Sequence, residues 1–285
     1  MKIAVLADIH ANHIALQACV EYALQNEIMT FIFLGDYVGD LAYPQETMKL
    51  LYELKEQYQC YFIKGNKEDY WLNYCTNGEK GWKDVDSTTG CLFYTYQQLS
   101  KRDLAFFEEM SHTQEVEIPG MPTFTICHGS PRRTSEKLLS YDERCFDIIE
   151  RDKNELILCG HSHERDSFVH AGKRVINPGS VGVPFHSDGK AQFMVLHGDE
   201  GKWVEEFVDV EYDIEQVIFE LSESGLAERA PGWCKVTEHI LRKGDIAHSK
   251  VLGRAMALCE QDMGSCTWPN IPEKYWEQAV AEMLS

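Results

Sequence analysis

Seven side chains able to bind a hard or borderline metal ion recur along this sequence in an ordered series. Asp8-Ile9-His10 comes first, then Gly35-Asp36, Gly65-Asn66, His128-Gly129 and Gly160-His161-Ser162-His163. Carboxylate, amide and imidazole donors without thiolate suit Mn, Fe or Zn rather than a soft-metal site. Seven donors exceed the needs of one ion and are enough for two ions sharing a carboxylate. Such a pair clamps a phosphate and activates water against it. Taken singly, D-x-H is a common tripeptide and each Gly-Asp or Gly-Asn an ordinary turn. The recurrence of all five clusters, each closing a short apolar run, is what carries the metal reading.

Those apolar runs are the elements that must position the donors. Residues 2–7, 30–34, 60–64, 123–127 and 155–159 are β-like, and each leads directly into ligand-type residues. Period-two alternation puts Asp8 and His10 on one side of an extended segment, and likewise His161 and His163. Residues 12–25 carry a helical apolar face at Ile14, Leu16, Cys19, Val20, Ala23 and Leu24, and residues 45–58 carry another around Met48, Leu51 and Leu54. Strand–helix alternation predicts an α/β fold with its site at the carboxyl ends of the strands. Residues 66–110 read as a helical insertion beside the cleft, broken at Asn77-Gly78, Gly81 and Gly90. Residues 166–170, 173–176, 192–197 and 203–210 are strand-like and are expected to complete a second sheet, giving a β-sandwich with helices outside. The pattern places one domain over residues 1–210. A helical appendage follows over 211–285, with helices near 214–222, 233–242, 247–261 and 272–284. The appendage holds no ligand cluster and is expected to cap the cleft or pair subunits in a homo-oligomer.

Composition narrows the partners. The chain has 285 residues and a net charge of −19, which disfavours a binder of nucleic-acid duplexes, since those need a basic face. Anionic small substrates remain compatible, because dications and a few local cations dominate the field inside a cleft. No apolar stretch is long enough to span a bilayer. The N-terminal segment is too soon charged for a signal peptide. Ten scattered cysteines, without a C-x-x-C pair, indicate a reducing, cytoplasmic compartment.

The order D-x-H, G-D, G-N, H-G, G-H-x-H resembles the calcineurin-like metallophosphoesterases. The resemblance runs over residues 1 to about 210 and includes Asn177-Pro178-Gly179-Ser180. It implies a four-layer αββα sandwich with a dinuclear site. Asp8, His10, Asp36 and His163 would hold one ion, and Asp36, Asn66, His128 and His161 the other, with Asp36 bridging. It also implies water attacking phosphorus in line, with Mn or Fe, and Zn as a further option. Two departures matter. Gly35-Asp36-Tyr37-Val38-Gly39-Asp40 lacks the arginine of the protein-phosphatase branch. Lys67 stands where the family usually places a histidine that helps protonate the leaving group.

A basic alkoxide gains from general-acid help, whereas a phosphate group, with a second pKa of about 6, can depart unprotonated. Lys67 therefore suits charge stabilisation of a phosphoanhydride. The resemblance is nearest to the bacterial asymmetric diadenosine tetraphosphate hydrolases that also act as phosphatases. The expected activity is cleavage of that dinucleotide to ATP and AMP, with Asp36, Asn66 and Lys67 as the catalytic residues. The alternatives are a phosphodiesterase or phosphomonoesterase on the same fold, or a metal-binding interaction scaffold.

Substrate contacts are expected from Asn12, His13, Lys67, Arg132 and Arg133. Tyr70, Trp71, Tyr74 and Trp82 could stack on a base, though core roles are more common for such residues. His112, His170, His186, His197, His239 and His248 have no ligand-like context and read as structural or surface residues.

Overall fold

A computed structural model describes residues 1–284. Its first sheet is built on β1 (Lys2–Leu6), β2 (Thr30–Phe33) and β3 (Gln59–Phe62), which run parallel in that order. The second sheet holds β4 (Thr113–Val116), β5 (Phe124–Cys127), β6 (Leu156–Leu158), β7 (Asp166–His170) and β8 (Lys173–Asn177), in the order β4-β5-β6-β8-β7. β9 (Ala191–Asp199) and β10 (Lys202–Val210) return to the first, giving β10-β9-β1-β2-β3.

The four strands after His163 thus do not complete one sheet; two extend each. The reason lies in β9, whose first six residues are all buried. A strand apolar on both faces needs a central place. It finds one against the free edge of β1, pairing Val5 with Met194 in antiparallel register. The short strand β4 was not anticipated, having Val116 as its one apolar residue. Pairing with β5 defines it, not its composition.

Alternation along the strands sorts side chains into layers. Ile3, Val5, Ile32 and Leu34 of the first sheet meet Phe124, Ile126, Leu156 and Leu158 of the second in a shared interior. Ala4, Leu6, Phe31 and Phe33 point the other way, into the core beneath α1 (His13–Gln25) and α2 (Pro44–Gln57). α1 buries Ala15, Leu16, Cys19, Val20 and Ala23, and Asn12 caps it by accepting from Ala15 N at 3.1 Å. α2 opens on Pro44, whose fixed φ suits a first turn. The insertion follows as α3 (Asn66–Thr76), α4 (Gly90–Gln98) and α5 (Lys101–Glu109). On the far side, α6 (Phe146–Arg151) lays Ile148 and Ile149 over Cys127, Ile157 and Val175. Helix, sheet, sheet and helix make the four-layer sandwich.

The C-terminal region forms α7 (Ile214–Glu223), α8 (Leu226–Arg229), α9 (Pro231–Lys243), α10 (His248–Met263) and α11 (Glu273–Met283). These helices do not hang from the sandwich. Val217, Leu221, Val236, Ile240 and Trp276 belong to the same apolar core as α1 and α2. They are stitched to the loop before α4: Trp276 Nε1 donates to Thr88 Oγ1 at 2.8 Å, Gly232 N to Ser87 Oγ at 2.7 Å, and Ser87 N to Glu273 Oε2 at 3.0 Å.

Candidate metal centre

All seven donors lie just past the carboxyl ends of parallel strands. Asp8 and His10 follow β1, Asp36 follows β2, Asn66 follows β3, His128 follows β5, and His161 and His163 follow β6. Backbone bonds tie these loops together. Asp8 N donates to Gly35 O at 3.2 Å, His10 N to Asp36 O at 2.9 Å, and Gly160 N to His128 O at 2.7 Å. Two glycines allow the closest approach: a Cβ on Gly35 would sit 2.5 Å from Gly65 N, and one on Gly65 would strike the Asp36 carboxylate. Asp8, His10, Asp36, His161 and His163 all have φ between 50° and 66°. That region costs a residue bearing a Cβ about 1–2 kcal/mol. Five such residues at one site are strain held by the surrounding structure, as is common where side chains must be aimed at a ligand.

Asn177-Pro178-Gly179-Ser180 braces this arrangement. Asn177 Nδ2 donates to Gly160 O at 2.7 Å, and Ser180 Oγ to Asp8 O at 2.8 Å. Glu68, which the sequence did not single out, is the other brace. Its buried carboxylate accepts from Gly65 N at 2.7 Å and from Asp36 N and Tyr37 N at 2.9 Å, locking two ligand loops together. Burial and the Asp36 charge push its pKa up to about 7, against those three donors. The signal for it was the acidic residue three positions after Gly65, a helix-start pattern.

The ligand atoms form two groups, Asp8, His10 and His163 on one side and Asp36, His128 and His161 on the other, each within 4.8 Å. Asp36 Oδ2 is 3.7 Å from His10 Nε2, while its Oδ1 is 3.4 Å from His128 Nε2. One carboxylate therefore faces both groups. Asn66 Oδ1 is 3.1 Å from His128 Nε2 and joins the second.

Whether cations fit can be judged from the protein's own atoms. His128 Nδ1 sits 2.6 Å from Leu34 O, His163 Nδ1 3.0 Å from Val183 O, and His10 Nδ1 2.8 Å from Asp40 Oδ2. Each Nδ1 lies beside an acceptor, so a ring that gives up its second proton to a metal ion keeps hydrogen there and presents the lone pair at Nε2. The Nε2 atoms of His10 and His163 are then 3.1 Å apart, lone pair to lone pair. His128 Nε2 likewise faces the Asn66 and Asp36 oxygens. Asp8 Oδ1 is fully buried and finds no hydrogen-bond donor among the described residues. Converging acceptors without donors need positive charge between them, and the donor set fits two metal ions.

Without ions, protons meet the same demand for positive charge. Burial opposes charge on His10, but Asp40 and Asp8 overcome this and push its pKa up to about 9. His128 rises to about 10 in the same way, through Asp36 and Asp8. Burial and neighbouring His128 press His161 down to about 3, leaving a neutral imidazole. Against burial, His128 and His10 hold Asp36 at about 2.

The ligands open into a cavity of about 300 Å³. Its opposite wall comes from the C-terminal helices, through Trp233, His248, Ser249 and Leu252, with Phe185 beside them. Trp233 and His248 stack at 4.2 Å, and Trp233 Nε1 donates to Asp40 Oδ1 at 3.0 Å. His248 is therefore a cavity residue and not a remote one; burial lowers its pKa to about 3. Asp40 and Trp233 were also missed. No spacing rule links a strand-end aspartate to a helix almost two hundred residues later.

Lys67 lines the cavity, but its Nζ is 2.7 Å from Asp40 Oδ1. Burial opposes its charge, and Asp40 and Asp36 outweigh burial, holding the ammonium protonated. The other expected substrate contacts lie elsewhere. Asn12 spends its side chain on capping α1 and on Gly182 O. His13 pairs with Glu220 at 3.0 Å. Exposed Arg132 is held by Glu136. Arg133 lines a neighbouring hollow that shares Lys137 with the metal cavity. Trp71, Tyr74 and Trp82 pack on one another, Tyr74 and Trp82 being parallel at 3.8 Å, whereas Tyr70 is exposed. His112, His170, His197 and His239 make local pairs with Pro131 O, Glu150, Glu206 and Asp245. His186 N donates to Gly244 O. No helix among the described residues is long and apolar enough to cross a membrane.

Known proteins share the fold that carries this centre. A family profile described as a calcineurin-like phosphoesterase superfamily domain matches residues 1–201. An uncharacterized protein of Methanocaldococcus jannaschii is 28% identical over 250 residues, covering 81% of this chain and 94% of its own. Two crystal structures share the fold. A hypothetical protein of Pyrococcus horikoshii has a TM-score of 0.71 at 23% identity, covering 86% of this chain and 99% of its own. A metallophosphoesterase of Sphaerobacter thermophilus has a TM-score of 0.65 at the same identity and coverage. With its ligand loops in place on the matched domain, the chain belongs to the calcineurin-like phosphoesterase superfamily and is a metal-dependent phosphoesterase.

Proposed function

We propose that this enzyme hydrolyses phosphoanhydrides of nucleotides, with diadenosine tetraphosphate, split to ATP and AMP, as the first substrate to test. The carrying observation is the pair of ligand groups joined by Asp36, with buried acceptors converging at 3.1–3.4 Å. Two bound ions supply Lewis-acid polarisation of the phosphoryl group and a nucleophile at neutral pH. We assign them as Mn or Fe, with Zn as the third option, since O and N donors suit all three. The protein's part is to hold Asp36 between the groups, to fix three imidazoles through Nδ1, and to set Asn66 beside His128. Asp36, Asn66 and Lys67 are the residues assigned to catalysis. Lys67, kept charged by Asp40, lies at the cavity wall where a departing phosphate would gather charge. Lys137 and Arg133 border the adjoining hollow and suit a distal phosphate. The free cysteines are in keeping with a cytoplasmic enzyme.

One observation favours a second reading. Asp40 already neutralises Lys67, which weakens its pull on a phosphate and leaves phosphodiesters or phosphomonoesters as substrates. Steady-state kcat/KM with Mn²⁺, Fe²⁺ or Zn²⁺, for diadenosine tetraphosphate, an alkyl phosphodiester and a monoester, separates the two. ATP and AMP as products, at the highest kcat/KM, support the anhydride reading. Preference for alkyl esters replaces it with the second. Lys67→Ala should lower kcat/KM more on the tetraphosphate than on an activated aryl ester.

A further inference from the structure

Behind the metal cavity lies a second hollow of about 370 Å³. Asp40, Lys67, Trp233 and Leu252 line both. The two spaces meet along one wall whose charged members are an ammonium and a carboxylate. Beyond that wall the lining turns mostly apolar and aromatic: buried Cys91 and half-buried Leu92 on α4, with Tyr70 on α3 and Trp268 between α10 and α11; Thr88 adds a hydroxyl already taken by Trp276. Tyr70 is 44% exposed and Trp268 48%. Both line the chamber and keep about half their surface open, whereas Tyr74 and Trp82 are stacked on each other within the insertion. Large aromatics left open beside a catalytic centre are suited to a planar ligand, because stacking needs a π-face and no particular hydrogen-bond pattern.

We propose that this chamber binds the aromatic base of the substrate while its phosphates occupy the metal cavity, with Lys67 at the junction. The inference rests on the nucleotide reading and gives it a specificity site. It also assigns a role to the C-terminal helices, which contribute no metal ligand, and to the insertion beyond Asn66; the two build the chamber between them. An alkyl chain would find the same apolar lining, but the aromatic rings favour a flat ring over a chain.

The test uses the full-length, metal-loaded enzyme with Trp268→Ala, which removes a half-exposed ring, and Leu92→Trp, which fills the chamber. Calorimetry with adenosine, a ring without phosphate, reads the chamber without turnover. Kinetics on diadenosine tetraphosphate and on inorganic tripolyphosphate read its effect on catalysis. Saturable adenosine binding is expected, weakened about tenfold in either variant. The ratio of kcat/KM for the dinucleotide to that for tripolyphosphate is expected to fall by about the same factor. An unchanged ratio in both variants overturns the proposal, as does absence of adenosine binding, or tighter binding of an alkyl phosphate than of adenosine. Adenosine binding that both variants weaken, without hydrolysis of any nucleotide, upholds the chamber and removes the nucleotide-hydrolase reading instead.

Discussion

The two walls of the cavity are made in opposite ways. One consists of strand-end loops, with five ligand-type residues in the left-handed region and with Asp8, His10, Asp36 and His128 almost wholly buried. The other consists of helices with unstrained cores and apolar stripes, and it contributes Trp233, His248 and Leu252. Strain and buried charge gather where atoms must be aimed at ions. Relaxed apolar packing serves where a surface need only have a shape. Asp40 joins the two, with one oxygen toward His10 and the other toward Lys67 and Trp233.

If the ligand wall alone supplies the chemistry, Asp36→Asn has the largest effect. Both groups lose charge at once, so metal content measured by mass spectrometry should drop and kcat should fall by orders of magnitude while circular dichroism stays native. Near-normal turnover in a metal-replete variant would falsify the bridging role. Next comes Asp40→Asn. A carboxylate behind a metal-bound imidazole fixes its orientation, and its loss commonly costs about 10–100-fold in metal affinity. The loss should fall on the ion held by Asp8, His10 and His163, leaving the other site tight. Titration showing equal weakening of both sites would mean that Asp40 supports the whole cleft.

Trp233→Phe sharpens the contrast from the other side. It keeps a ring against His248 and removes the Nε1–H bond to Asp40, a bond to a charged group worth about 1.5 kcal/mol. Thermal denaturation should show a loss of that order with two metals still bound. Metal loss from this variant would break the division of labour between the walls.

The smallest effect is on pH dependence. His10 and His128, raised to about 9 and about 10, favour the folded state while charged. Their contribution is full below their unfolded pKa of about 6.5 and is lost as pH rises through 9 and 10. Asp36, depressed to about 2, contributes above its unfolded value and loses that only as pH falls through 2. Chelator-treated protein should therefore lose stability between about pH 6.5 and 10. Metal-loaded protein should not, because the ions displace those protons. Calorimetry in two buffers of different ionisation enthalpy should register proton release on metal binding at pH 7.5 and progressively less as pH rises past 10.

The same contrast explains what could be read from the sequence. The convergence of Asp8, His10, Asp36, Asn66, His128, His161 and His163 was legible because each is set by its own strand end, so a local spacing carries the information. The apolar alternation of β1, β2, β5 and β6 was legible for the same reason. Asp40, Glu68, Trp233 and His248 were not. Their roles depend on which distant element arrives beside them, and a helical tryptophan looks alike whether it faces a core or a cavity. The destination of β9 was hidden similarly: its apolar run announces a central strand without naming the sheet. For Arg132, charge type suggested a phosphate contact while the nearby Glu136 took the guanidinium.

The placement of β1 between β2 and β9 has a consequence for how the enzyme comes into being. A chain made from its N-terminus has the last of its candidate ligands, His163, before β9 exists, so β1 leaves the ribosome with one edge unpaired. That edge stays open until residues 191–199 follow. The cavity's far wall comes later still, with Trp233, His248 and finally Trp276, which anchors it at Thr88. A nascent chain thus carries all seven candidate metal ligands before β9 can cover the edge of β1 or the C-terminal helices can close the cavity's far wall.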